Sequence, residues 1–90
     1  MTTKTLHVRI ISPQQVILDT EADSVSSKNL KGPFDILPMH ASFITMVENV
    51  PIVVRIGKQK PLTFKFPMAI ILTSENNVNI YTYIQTQFSK

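Results

Sequence analysis

At 90 residues the chain has room for one domain, and its small size limits the share of surface that folding can bury. The absence of cysteine excludes a disulfide staple and a thiolate metal site, and no apolar run approaches the roughly 18 residues that a membrane span requires. A net charge of +3 invites a nucleic-acid partner, yet Lys28, Lys31, Lys58 and Lys60 are scattered over expected turns and Asp19, Glu21 and Asp23 cluster among them, whereas a nucleic-acid binder gathers its cations on one face.

In chain order, no basic segment followed by an apolar stretch and a cleavage site opens the sequence, so neither a secretory nor a transit signal is expected. Leu6, Val8 and Ile10 then alternate with His7 and Arg9, the period of a half-buried strand. Ser12-Pro13-Gln14-Gln15 makes a turn into a second strand over 16–22, and the two predict a hairpin with Asp19, Glu21 and Asp23 on its solvent side. The polar segment 24–31 leads away, with Val25 as a short strand's one anchor. After the central stretch 31–45, alternation resumes over 50–56, where Ile52, Val54 and Ile56 oppose Val53 and Arg55. A turn at 57–60 leads to Leu62, Phe64 and Phe66 on one side with Thr63 and Lys65 on the other, and Pro67 ends that run by withholding a hydrogen bond from the ladder. A strand over 68–73, a turn at Glu75-Asn76-Asn77 and a last strand over 78–84 follow, with Val78, Ile80 and Ile84 opposed to Asn79, Tyr81 and Tyr83. Residues 85–90 carry no pattern.

The six prolines punctuate these runs, and only 39–46 is ambiguous enough to hold a helical turn. The expected fold is therefore all-β, a sandwich or small closed barrel of short antiparallel strands, with two sheets packed face to face preferred. Ile11, Ile17, Val53, Ile71, Tyr81 and Tyr83 fall out of phase with the expected core. A bulge restores about half of them to the interior; the rest lie on an outer face, with Tyr81 and Tyr83 marking an interface with another protein.

Chemistry finds little support. Ser12 or Ser42 with His40 and Asp35 has the residue types of a hydrolase triad, but no Gly-x-Ser-x-Gly elbow presents either serine. His7 and His40 have no metal-ligand spacing, and Gly32 and Gly57 are too few for a phosphate-cradling loop, so no metal and no cofactor is expected. Tyr81 and Tyr83 with the turn lysines leave a second reading open, a free-standing β-sandwich or barrel that binds RNA or peptide.

The central stretch reads KGPFDILPMHASFIT. Gly32-Pro33 suits a tight turn, Phe34 and Ile36 anchor a short strand with Asp35 on its other side, and Pro38 stops it. Met39-His40-Ala41-Ser42 forms an exposed corner, and Phe43 with Ile44 returns the chain to the core. Gly32, Ile36, Pro38, His40, Ala41 and Thr45, together with the opening Leu6-His7-Val8-Arg9-Ile10-Ile11-Ser12-Pro13-Gln14-Gln15, resemble the amino-terminal β-sandwich domain of the epsilon subunit of F-type ATP synthases. The resemblance covers nearly the whole chain as a single domain, 1–90.

The resemblance implies a non-catalytic rotor component at the foot of the central stalk. One side of the sandwich lies against the gamma subunit and one end rests on the membrane-embedded c-ring, at the cytoplasmic face of a bacterial inner membrane or in a plastid thylakoid. Membrane association comes only through the complex, and the isolated chain is expected to be monomeric. Gly32, Pro33, Phe34 and Asp35, with Pro38, Met39, His40, Ala41 and Ser42, would make the gamma and c-ring contacts. The family's usual form continues into a helical hairpin, whereas this sequence stops at Lys90, so inhibition by the hairpin and its ATP binding are expected to be absent. Phe66-Pro67-Met68 stands where the family usually carries a Ser-Gly-Gly-like segment, turning a close-approach site into a bulky one. Pro33 replaces what is often an acidic residue, and Asp35 stands where glycine is frequent, re-routing the ring contact through Asp35.

Overall fold

The computed structural model describes residues 5–83, and the expected strand end at Ile84 and the tail beyond it lie outside them. The first alternating run forms β1 (Leu6–Ile11), with Leu6, Val8 and Ile10 fully buried. Ser12 closes the following turn: its hydroxyl accepts from the backbone N–H groups of Gln14 and Gln15 and donates to the Gln15 carbonyl at 3.1 Å. That turn brings back β2 (Val16–Ala22) as the antiparallel partner expected from the sequence. The anticipated bulge is present as a register shift between Ile10 and Ile11.

Next come β3 (Ser24–Asn29), β4 (Gly32–Ile36), β5 (Phe43–Val47), β6 (Pro51–Arg55), β7 (Leu62–Lys65), β8 (Ala69–Ser74) and β9 (Asn77–Thr82). Five strands make one sheet in the order β2-β1-β9-β8-β5, and four make the other in the order β4-β3-β6-β7. Every pairing is antiparallel except β1 with β9. The result is the two-sheet sandwich, with no helix among the described residues.

Both sheets contribute to one core. Leu6, Val8, Ile10, Ile71, Val78 and Ile80 meet Val25, Ile36, Ile52 and Val54 from the facing sheet, and Phe34, Phe43, Leu62, Phe64 and Phe66 pack around the margin. Edge-to-face contact between Phe34 and Phe43, with centroids 5.3 Å apart, ties β4 to β5 across the sandwich.

Several expectations need correction. Residues 24–29 do not lead away from the hairpin: they form a central strand of the four-stranded sheet, paired with both β4 and β6. Ser27 is buried and Ser26 lies on the outer face, and both hydroxyls find partners. Ser27 donates to the Pro51 carbonyl at 2.9 Å, while Ser26 donates to Asp35 and accepts from Arg55. Chain reversal before β4 falls at Leu30-Lys31, so Gly32 and Pro33 are strand residues, and the proline is tolerated because β4 is an edge. Residues 39–46 hold no helical turn beyond the bend at Pro38-Met39 and pass into β5. Ile44 does not enter the core: it is 67% exposed, because Phe43, Thr45 and Val47 take the inward positions of β5. Ile71 is likewise not out of phase but fully buried, and it is Ile70 and Leu72 that point outward.

Thr73 fills an inward position of β8 with its hydroxyl buried and without a hydrogen-bond partner among the described residues. A buried hydroxyl left unpaired costs about 1–3 kcal/mol. Replacing Thr73 with the near-isosteric valine is therefore expected to raise the unfolding free energy by about that amount, read as a higher urea midpoint at unchanged slope.

Candidate protein interface

The outer face of the five-stranded sheet is built by the residues alternate to its core positions. Register pairings place Met46, Ile70, Tyr81 and Ile11 in one cross-strand row and Ile44, Leu72, Asn79, Arg9 and Asp19 in the next. A third row runs Ser74, Asn77, His7 and Glu21. Half of this face, from β5 through β9, is thus apolar, and a charged corner occupies β1 and β2. Met46, Ile70 and Tyr81 are 49%, 41% and 44% exposed, while Tyr83 and Met68 extend the patch at 62% and 45%. Neighbouring aliphatic side chains on an open sheet face forgo burial worth about 1.5–3 kcal/mol each, which is the signature of a surface that another protein covers.

β5 is an edge strand, so the apolar field ends on unpaired backbone groups. An open cleft of about 360 Å³ borders that edge, lined by Asn29, Leu30, Lys31, Phe43, Ile44, Thr45 and Met46. Asn29 donates to the Thr45 hydroxyl at 2.9 Å, holding the β3–β4 turn against the edge. Leu30, at the tip, is fully exposed. The outer face of the other sheet differs in kind. Its cross-strand rows carry Lys28, Ser26, Asp35, Val53, Thr63 and Lys65, a mainly polar surface.

The charged corner is a network. His7 lies opposite Glu21 and Arg9 opposite Asp19. The imidazole contacts Glu21 through Nδ1 at 2.8 Å and Asp19 through Nε2 at 2.6 Å, and Thr5 donates to Glu21 at 2.6 Å. The hydrogen bond with Glu21, and next that with Asp19, raises the His7 pKa above its ordinary 6.5 against the opposing effect of partial burial. The Thr5 hydroxyl, and after it His7, holds Glu21 below its ordinary 4.5. Histidine's contribution to stability is therefore full below about pH 6.5 and lost as pH rises through the higher folded value. For glutamate the contribution is full above about pH 4.5 and lost as pH falls through the lower folded value. The difference in melting temperature between the native chain and His7→Gln should accordingly be greatest between those limits and shrink on either side.

The residues singled out in the central stretch fall into two groups. Gly32, Pro33, Phe34 and Asp35 run along β4 from its start beside Asn29, whereas Pro38, Met39, His40, Ala41 and Ser42 form the loop beyond its far end. β4 spans five residues, about 16 Å of strand, and separates the β3–β4 turn from the loop. The loop is tied down locally. The Met39 N–H donates to Asn76 Oδ1 at 2.7 Å, the His40 N–H donates to the Leu37 carbonyl, and His40 Nδ1 donates to the Ala41 carbonyl at 2.7 Å. His40 also meets Phe43 edge-on at a centroid distance of 5.4 Å. Positive φ at Met39, Glu75 and Asn76 shapes this junction. No triad forms here: Asp35 bonds Ser26, His40 bonds backbone, and Ser12 caps its own turn at the other end of β1. Among the described residues no group of metal-ligating side chains is placed to hold an ion.

Ile44, Met46, Ile70 and Leu72 were not legible as outer-face residues, although a signal for two of them existed. Glu75 and Asn76 both adopt positive φ, the two-residue hairpin turn, which sets Ser74 opposite Asn77 and hence Thr73 opposite Val78. Reading the turn as three residues loses that register, and with it the parity of an all-apolar strand.

The fold is thus an all-β sandwich with one largely apolar and one mainly polar outer face. The comparisons make the assignment particular. A family model for the ATP synthase delta/epsilon chain β-sandwich domain matches residues 5–84, and the chain belongs to that family. A 42-residue segment is 33% identical to the ATP synthase epsilon chains of two strains of Nitratidesulfovibrio vulgaris, DP4 and Hildenborough. That segment is 47% of this chain and 31% of each of those proteins. Similar folds occur in the cryo-EM structures of two mitochondrial ATP synthases. One, from Euglena gracilis, is the OSCP/F1/c-ring structure in rotational state 1, with a TM-score of 0.81, 12% identity, and 89% of this chain and 51% of that one covered. The other is the central stalk and c-ring structure from Tetrahymena thermophila, with a TM-score of 0.75, 12% identity, and coverage of 93% and 67%.

Proposed function

We propose that this domain is a non-catalytic rotor component of an F-type ATP synthase, docking the apolar outer face of its five-stranded sheet on the gamma subunit and standing by one end on the c-ring. The observation that carries the reading is the exposed field of Ile44, Met46, Ile70, Leu72 and Tyr81 on a domain of the delta/epsilon family. A rotor foot must pass torque without yielding. A core buried from both sheets and packed near crystal-like density transmits strain in that way, and the role needs neither a cofactor nor a catalytic group.

In this reading the isolated chain is monomeric, and it reaches the membrane only as a peripheral part of the complex, on the cytoplasmic side in a bacterium. No helix among the described residues is long and apolar enough to cross a membrane. The segment 32–35 runs along edge strand β4 and 38–42 forms the loop beyond its far end, so in this reading the strand edge and the loop are both offered for partner contact. Phe66 and Met68 flank the Pro67 bend next to the start of β8, where bulk replaces close backbone approach.

The RNA-binding alternative fits the surface less well. Stacking platforms combine several aromatics with a basic groove, whereas Tyr81 sits between Ile70 and Ile11 and the adjoining row carries Asp19 beside Arg9. Affinity purification of the tagged chain from its own cells tests the choice. Recovery of gamma and c-ring subunits is the expected result, and salt-sensitive RNA binding without gamma would overturn the proposal.

A further inference from the structure

We propose that His7, Asp19 and Arg9 form a proton-operated switch at the charged corner of the docking face, in which Asp19 passes between His7 and Arg9. Arg9 and Asp19 lie directly opposite one another in the β1–β2 ladder, yet their closest approach is 3.6 Å, beyond hydrogen-bond reach. The diagonal neighbour His7 instead holds Asp19 at 2.6 Å through Nε2. Arg9 Nε is buried and has no hydrogen-bond partner among the described residues, although the side chain as a whole is partly exposed. An unsatisfied buried N–H on a cation is a rare and costly feature. Asp19 Oδ2 stands 3.6 Å from it while His7 holds Oδ1 of the same carboxylate.

His7 sits between two carboxylates, with a ring nitrogen on each. A neutral imidazole has one N–H and can donate to one of them; donating to both requires imidazolium. Glu21 is held in place by Thr5 as well, so the Nδ1–H···Glu21 bond is the one that survives deprotonation. The proton leaves Nε2 for water, and its lone pair then faces the Asp19 carboxylate. Repulsion replaces attraction, and Asp19 closes the short remaining distance to the waiting Arg9 Nε–H. Other groups around the ring do not compete. β9 presents the neutral Asn77 and Asn79, and the β8–β9 turn beside the start of β1 carries Glu75, which makes no hydrogen bond or ion pair with the ring.

At low pH the four groups carry two positive and two negative charges; after deprotonation the corner bears one net negative charge, and the Arg9 guanidinium is tethered. Arg9 and Asp19 share a cross-strand row with Leu72 and Ile44, so the change falls at the border of the apolar field. Its effect on docking rests on the rotor reading above, while the exchange itself is a property of the isolated domain.

Nuclear magnetic resonance of the full chain, following the His7 ring and the Arg9 Nε–H between about pH 5 and 8, tests the switch. The expected His7 midpoint lies above the usual value of about 6.5, and the Arg9 Nε–H signal moves downfield with the same midpoint as it gains its acceptor. In Asp19→Asn the Arg9 signal should no longer follow His7, and in His7→Gln it should stay at its high-pH position throughout. An Arg9 signal unmoved across the His7 titration of the native chain would overturn the proposal, with no variant needed. A chain that shows the exchange but recovers no stalk subunit would sink the rotor reading and leave the switch standing.

Discussion

The paired substitution Ile70→Lys and Leu72→Lys should abolish recovery of partner subunits while leaving the domain folded. Both side chains lie on the outer face of β8, flanked by Met46 and Ile44 on one side and by Tyr81 and Asn79 on the other. If docking buries them, each contributes about 1.5–3 kcal/mol, so losing both weakens association by two to four orders of magnitude before the cost of covering two ammonium groups is counted. The fold should tolerate the change, because surface substitutions away from special features shift stability by about 0.5 kcal/mol or less, and lysine stems still cover the sheet. Val53→Lys, on the outer face of the four-stranded sheet, is the control and should leave recovery unchanged. Equal loss from both proteins would mean that charge alone disturbs assembly.

Ile80→Ala should have the largest effect on stability. Ile80 is fully buried in the central strand β9, directly between Ile10 of β1 and Ile71 of β8. Truncating a buried isoleucine costs about 2–5 kcal/mol, the spread reflecting how far the cavity can collapse. Here collapse is limited, since the neighbours are held in register by ladders on both sides. A domain of this size has about 5–15 kcal/mol in total, so the melting temperature should fall by tens of degrees at the upper end of that range. Ile44→Ala removes the same atoms from a side chain that is 67% exposed and should be nearly silent in the isolated chain. The two isoleucines together separate the buried core from the exposed outer face.

Much of this architecture was legible because the strands are short, amphipathic and punctuated. The period-two alternation of Leu6-His7-Val8-Arg9-Ile10 and the turns at Ser12 and Gly57 predicted β1, β2, β6 and β7 from local chemistry alone. Hidden elements were those whose character depends on a partner. β3 reads as a polar segment with Val25 as its one anchor, because its serines find their partners, Pro51 and Asp35, only in the folded sheet. β8 is apolar on both faces, so nothing within it distinguishes Ile71 from Ile70; only pairing with Val78 and Ile80 does. The outward placement of Tyr81 and Tyr83 was legible, because Val78 and Ile80 fix the inward parity of the last strand. The charged corner could not be seen either, since His7 meets Asp19 and Glu21 only through the hairpin register.

Placing a photo-reactive side chain at Leu72, or separately at Val53, and irradiating the assembled synthase tests the central claim most directly. The account predicts adducts with the gamma subunit from position 72 and none from position 53. Gamma adducts from position 53 alone would contradict it, for they would mean that the mainly polar sheet is the one that faces the stalk.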